Sequence, residues 1–402
     1  MQGPWDDWIP GVLNRNQMKE LCDRGLFQLN APFNSDILDE SSIDLHLADE
    51  AYEMVKGSVK PSRECTYKNF LDQRELAKRL KKERGGVYSL NGRTTYVFKL
   101  REHLGRQLAD LDIWGQATAK SSVGRVDVLV RLIVDGMDTY ESFDPSALKE
   151  GSPGSGEMYL EVTPITFDVQ VRADVSLSQL RLFYGDPRRV EVVGRGLYRA
   201  VFGDIGKRDG CLNVEVSNTN IGGLPTAAFC AKSKSETCPS VPLWTPRGQK
   251  RGTIDPTKCW GLRACDDAAR MEIKSEEFYI LRSKERISVP KGIAVYCRAS
   301  DETIGEMRIH YAGFVHPWFG RRRKKGKGTP LIFEVRGHQV KVSLAQGERM
   351  ANLTFYRMSE DAPEPEPSPY EDQELELSKF FSPWPTKLKY KEGANDGTVE
   401  AG

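Results

Sequence analysis

The sequence predicts a mainly β protein, built as two tandem barrel or sandwich units with a few short helices. Three observations predict it. Short β-branched runs of strand length fill 87–203, a second set fills 276–358, and the two sets resemble each other.

Ahead of the first set, NRNQMKELCDRGLFQL reads as an amphipathic helix, with Met18, Leu21, Leu26 and Phe27 near helical spacing and Asn14 or Asn16 as caps. The charged run LDQRELAKRLKKER (71–84) reads as a second, solvated helix. The first strand set is VYSL, TTYVFKL, VDVLVRLIV, MYLEV, FDVQVRA and LSQLRLFY, broken by Gly, Pro and Asp. The stretch 204–275 carries GKRDG, TNIGG and PRGQKRG and reads as a loop-rich connector or insertion. Strands return at FYILRS, GIAVYCR, MRIHYAGF, PLIFEVRG, VKVSL and ANLTFY, after which DAPEPEPSP breaks regular structure. The expected division is therefore unit one at 1–203, a connector at 204–275, unit two at 276–360 and a tail at 361–402.

The likeness between the units is ordered. LEVTPITFDVQVRADVSLSQLRLFY (160–184) lies over FEVRGHQVKVSLAQGERMANLTFY (333–356), sharing a Glu inside an apolar strand, a Val-x-Val strand and a final Leu-x-Phe-Tyr. Three features in the same order argue for duplication.

Composition narrows the partners. Hydrophobic residues at 39% and charged residues at 29% are ordinary for a globular chain, and a net charge of +1 leaves no global field to hold nucleic acid or an anionic membrane. Anion binding has to be local. No run approaches the roughly 20 apolar residues of a membrane helix, and the first residues lack a signal-peptide pattern, so a cytoplasmic location is expected. Eight cysteines form no CxxC, which argues against structural zinc and for free thiols.

The most informative string is Ala119-Lys120-Ser121-Ser122-Val123-Gly124-Arg125, between two expected strands. Two hydroxyls, a glycine that lets the backbone come close, and two cations suit a triphosphate, whose oxygens need donors and whose charge needs an offset. A surface turn is the plainer alternative. The repeat counterpart, Asp301-Glu302-Thr303-Ile304-Gly305-Glu306, inverts the charge at every basic position, so only unit one can hold the anion. Unit two instead carries the compact hairpin His310-Tyr311-Ala312-Gly313-Phe314-Val315-His316-Pro317-Trp318-Phe319-Gly320. One unit grips phosphates while the other frames a base.

ESSIDLHLADEAY (40–52), AKSSVGRVDV (119–128), YLEVTP (159–164), the hairpin and YEDQELELSKFF (370–381) together resemble the two-domain bacterial dCTP deaminases of the dUTPase-like superfamily. The resemblance implies two tandem dUTPase-like distorted β-barrel units, a homo-oligomer with sites between units or subunits, dCTP or dUTP as ligand, and Mg²⁺ carried in by the triphosphate. It places phosphate contacts at Ser121, Ser122 and Arg125 beside Lys120, a backbone contact at Ala312 with Gly313 beside it, and the catalytic glutamate at Glu334 in unit two or Glu161 in unit one. Two departures stand out: His316 occupies the family's hairpin Asp position, and Phe314 occupies that of a hairpin Arg. Arg321-Arg322-Arg323-Lys324-Lys325 reads as a solvated loop or as part of a phosphate funnel.

A buried glutamate suits cytosine deamination, which needs one group to take a proton from water and return it toward the ring and the leaving ammonia. Glu334, between Phe333 and Val335, is the favoured base, and an outward-facing strand residue is the alternative. The H-x-E…P-C-x-x-C signature of zinc deaminases is missing, so no protein-bound zinc is expected. In the tail, Tyr370, Gln373 and Lys379 would close over the triphosphate as a lid, or Phe380, Phe381 and Trp384 would dock the segment permanently. The competing functions are a dUTPase-like pyrophosphatase, against which His316 counts, and a non-catalytic nucleotide-binding relative.

Overall fold

The computed structural model describes residues 7–29, 35–154, 156–203, 206–207, 209–232, 238–300, 307–309, 313–321, 328–365, 373–391 and 397–402. Unit one contains β1 (Ile43–Met54), β2 (Val87–Leu90), β3 (Tyr96–Leu104), β4 (Ile113–Ala119), β5 (Val128–Val134), β6 (Glu157–Pro164), β7 (Val169–Arg172) and β8 (Ser176–Tyr184). Its curled main sheet runs β5-β6-β3-β1-β8-β4, and β2 pairs with β7. Unit two contains β9 (Cys211–Glu215), β10 (Ala228–Ala231), β11 (Arg270–Ile273), β12 (Phe278–Ile287), β13 (Ile293–Ala299), β14 (Gly313–Val315), β15 (Thr329–Gly337), β16 (Val342–Ala345) and β17 (Arg349–Arg357). Here the order is β10-β12-β9-β17-β13-β14, with β15 on β12 and β16 on β11.

The two orders correspond. The pair β15·β12 repeats β6·β3, the run β9-β17-β13 repeats β1-β8-β4, and β16·β11 repeats β7·β2. The similar segments 160–184 and 333–356 are thus the same three strands used twice.

Strand alternation decides which side chains meet across the units. In β15, Leu331, Phe333 and Val335 enter the core of unit two. The alternate residues face outward, but that face is covered: Ile332 packs against the apolar cluster that unit one shares with β10, β12 and the tail, and Arg336 pairs with the fully buried Asp127 of unit one and bonds Thr166. A second seam joins Val12 and Phe183 to Ala294 and Tyr356.

At the N-terminus the helix Arg15–Asp23 is held by a capping box, Asn14 accepting from the Gln17 N–H while the Gln17 side chain accepts from the Asn14 N–H, each at 3.0 Å. It ends earlier than the apolar spacing predicts, since Phe27–Leu29 pairs with β3. The expected helix at 71–84 is not formed. Only Lys68–Leu71 is helical, and Ala77–Arg79 pairs with β1 instead. Without an apolar stripe the run has nothing to bury as a helix, whereas beside β1 it buries Ala77, sets Arg79 over the Tyr52 ring and pairs Lys82 with Asp49.

The loop-rich reading of 204–275 is also corrected. β9, β10 and the strand Trp260–Arg263 lie there as members of the unit-two sheet. Runs as short as AFCA or WGLR carry too few residues to show alternation, yet neighbouring strands capture them. Free thiols were expected throughout, but Cys238 and Cys259 form a disulfide, while Cys22, Cys65, Cys211, Cys230, Cys265 and Cys297 are free. The pairing of Val241–Pro242 with Val169–Gln170 anchors the chain beside the turn that ends at Cys259, a tertiary approach with no local sequence signal.

Because Asp127 is the buried counter-charge of Arg336, Asp127→Ala is expected to cost about 3–5 kcal/mol. Urea unfolding of the two proteins measures it; equal midpoints would mean that this pair does not hold the units together.

Candidate active site

A cavity of about 340 Å³ opens between the two units. Unit one contributes Lys120, Ser121, Ser122 and Arg125, unit two contributes Gly313 and Glu334, and the tail contributes Gln373 and Lys379. Eight of the sequence-predicted residues therefore share one wall system. Glu161 lies elsewhere, and Ala312 and Tyr370 fall outside the described residues, as does the charge-inverted string 301–306.

The basic string follows the end of β4. Lys120 is extended at the entry of a single helical turn, Ser121–Gly124, and its carbonyl accepts from the Val123 and Gly124 N–H groups at 2.8 and 3.1 Å. This turn carries both serines and Arg125 along the cavity. Lys120 pairs with Asp44, on the half-buried face of β1 opposite Ile43, Leu45 and Leu47. Arg125, only 3% exposed, donates through Nε to Ser121 Oγ at 3.2 Å, through Nη2 to Gln373 Oε1 at 2.8 Å and through Nη1 to the Glu376 carbonyl at 3.3 Å.

The described part of the tail is docked. Leu375, Leu377, Phe380 and Phe381 enter the unit-one core, Gln373 donates to the Pro330 carbonyl at 3.1 Å, and Ser378 Oγ donates to the Ser122 carbonyl at 2.6 Å. For segment 373–381 to open as a lid, four apolar side chains would have to be exposed. Burial, and then the nearby Lys120 ammonium, lowers the pKa of Lys379.

The two glutamates occupy equivalent strand positions in different surroundings. Glu161 is cross-strand from Arg131, which forms an ion pair with it; Ser58 Oγ donates to it at 2.5 Å and Tyr140 Oη at 3.4 Å. Arg131 also lies over the Tyr140 ring at 4.0 Å, so the space beside Glu161 is filled by unit one's own side chains. Glu334, by contrast, opens onto the cavity and is 6% exposed. Burial pushes its pKa up to about 7, with the Arg125 guanidinium pulling the other way. It is therefore outward-facing on its strand and buried as well.

Sequence reasoning missed several lining residues, among them Gln179, Cys297, Asp39 and Glu40. His316 Nδ1 lies 3.0 Å from Ser41 Oγ and its Nε2 lies 3.4 Å from Asp39. Asp39, Glu40 and His316 are, among the described residues, the one group whose possible ligand atoms converge to hold a metal, all within 4.8 Å of one another. Burial, and then the hydrogen bond and charge of the adjacent Asp39, push the Glu40 carboxyl well above the usual carboxylate range. Of the missed Gln179, Cys297, Asp39 and Glu40, only Glu40 lies inside a string on which the family resemblance rests, 40–52.

Fold and site together define a class: a duplicated β chain whose cavity joins an anion-suited turn of one unit to a desolvated carboxylate of the other. The 2'-deoxycytidine 5'-triphosphate deaminase (DCD) N-terminal domain family matches residues 9–186, and the corresponding C-terminal domain family matches residues 248–381. The chain belongs to the two-domain dCTP deaminase family. Among solved structures it is similar to 2'-deoxycytidine 5'-triphosphate deaminase from Agrobacterium tumefaciens, at 26% identity and a TM-score of 0.74 over 88% of this chain and 97% of that one. A search of curated proteins finds no match.

If the turn after β4 binds the triphosphate, Arg125→Ala should weaken triphosphate binding by about 1.5–3 kcal/mol, the usual range for a charge-assisted hydrogen bond, and leave nucleoside binding nearly unchanged. Calorimetry with both ligands decides this. Equal losses for both would remove Arg125 from the phosphate site.

Proposed function

We propose that this dCTP deaminase works through a composite site, in which unit one holds the triphosphate through Lys120, Ser121, Ser122 and Arg125 while Glu334 of unit two acts on the cytosine. The observation that carries this reading is the shared cavity, lined both by a basic, hydroxyl-rich turn and by a buried carboxylate whose pKa burial raises. The Glu334 carboxylate takes a proton from water as its oxygen adds to C4. The same carboxyl returns that proton to N3, and a second transfer, from the new hydroxyl to the amino group, releases ammonia and leaves dUTP. One group can do both because a pKa near 7 makes it neither too weak a base nor too weak an acid at neutral pH. Mg²⁺ accompanies the triphosphate in this scheme, and no zinc takes part.

Glu161 has a structural role here, since its charge is already matched by Arg131. Glu334→Gln is expected to lower kcat on dCTP by 10²–10⁴-fold or more while dCTP affinity changes little, and Glu161→Gln should be much milder. Ammonia and dUTP formation by chelator-treated protein resupplied with Mg²⁺ alone provides the assay. A dead Glu161→Gln beside an active Glu334→Gln would reverse the assignment, and a turnover that returns only with zinc would overturn the metal-free reading.

The pH dependence has a definite sign. A base must be ionised, and Glu334 is protonated below its pKa of about 7, so kcat/KM should fall about tenfold per pH unit below that value. Arg125 favours the ionised form, so Arg125→Ala should move this limb to higher pH. A limb near 4.3, the ordinary glutamate value, would exclude a desolvated Glu334 as the base.

A further inference from the structure

Arg181, on β8 of unit one, is fully buried, and among the described residues no carboxylate lies within ion-pair distance of it. Its Nη1 donates to the Val295 carbonyl of unit two at 3.0 Å, its Nη2 to Ser41 Oγ at 3.4 Å, and its Nε finds no acceptor among the described residues. Burial lowers its pKa to about 9, which leaves it charged at neutral pH. A buried guanidinium with an unmet donor and no counter-ion costs stability, and an apolar side chain of similar volume would avoid that cost. Such an arrangement is a reason to look for a role at the adjacent site.

Both of its outward contacts lead to the cavity. The guanidinium carbon lies 3.9 Å from the centroid of the Phe314 ring, and Phe314 lines the cavity on the same hairpin as Gly313. Ser41, which receives Nη2, is the hydroxyl partner of His316, another hairpin side chain on that wall. Ser41 Oγ thus stands between the Arg181 guanidinium at 3.4 Å and His316 Nδ1 at 3.0 Å, and the other ring nitrogen of His316 faces Asp39. Desolvation lowers the His316 pKa, with Asp39 opposing it and Arg181 adding to it. A guanidinium thus stands directly behind an aromatic ring of the cavity wall.

We propose that Arg181 is a positioning residue for deamination: it braces Phe314 by cation–π contact and sets His316 through Ser41, so that the hairpin wall holds the base in line with Glu334. This rests on the deaminase reading of the cavity. Arg181 touches neither the phosphate turn nor Glu334 in any contact described, so its effect should fall on the alignment of the reacting ring and leave triphosphate affinity intact.

The test uses the full chain, with kcat and KM for dCTP, dCTP affinity by calorimetry and thermal midpoints for wild type, Arg181→Leu, Phe314→Leu, the double variant and Ser41→Ala. Arg181→Leu should lower kcat by about tenfold or more, since misplacing reacting groups by about 1 Å can cost about 10²-fold. Affinity should stay within about threefold and the midpoint should not fall, because an uncompensated buried charge is removed. Phe314→Leu should give a similar kcat loss, and the double variant should lose no more than the larger single loss, the non-additivity of residues acting as one unit. Ser41→Ala, which keeps the charge and cuts only the link to His316, should lower kcat at unchanged affinity. An Arg181→Leu kcat within about twofold of wild type overturns the proposal, as do losses that multiply in the double variant. If Arg181→Leu does not fold, Phe314→Leu and Ser41→Ala decide: full kcat in both overturns it. Wild type that releases no ammonia from dCTP would refute the deaminase reading itself, whereas an active wild type with indifferent variants would refute only the role of Arg181.

Discussion

The outer face of β15 is covered by unit one instead of by water, and the chemistry at the cavity depends on that contact. A glutamate on an exposed strand face keeps an ordinary pKa and is fully ionised near pH 7. Packed beneath a neighbouring barrel, the same residue loses solvent and moves to where it can give a proton as readily as take one. Ile332, packed into the apolar cluster shared by both units and the tail, and Arg336, tied to Asp127 of unit one, flank Glu334 on this face. The contact between units is thus what desolvates an otherwise ordinary carboxylate.

Duplication supplied the parts, and divergence separated their tasks. β6 and β15 place a glutamate at the same position, yet unit one closes over its copy with Arg131, Tyr140 and Ser58, while unit two leaves its copy open to the cavity. The basic turn follows the same division in reverse, kept in unit one and charge-inverted in the unit-two sequence. Each unit therefore lacks what the other has. In the composite reading proposed above, such a site would not work with the units apart, and interface residues such as Asp127 would then bear on catalysis as well as on stability.

Much of this was legible in the chain because the signals were local or repeated. The strands of 87–203 and 276–358, the duplicated segment and the basic turn each rest on a periodicity or charge pattern of a few residues, and pairing the turn with Glu334 followed from asking which copy kept which feature. What escaped depended on tertiary approach. The charged run 71–84 has helix-forming residues but no apolar face, and an available strand edge decided its fate. Cys238 and Cys259 carry no spacing signal, and Arg181 reads as one more polar residue in an alternating strand until a second unit is laid against it.

The environments of Glu334 and Arg181 express one constraint. Both are ionisable groups removed from water without an ion-pair partner among the described residues, and each would be cheaper to replace by an apolar side chain if stability were the only demand. Glu161 shows what the fold does when no such demand exists: the carboxylate is paired, hydrogen-bonded and closed in. The difference between two equivalent strand positions of one chain therefore separates what packing requires from what the chemistry requires. The unpaired groups lie on or directly behind the cavity wall, and the paired one lies away from it.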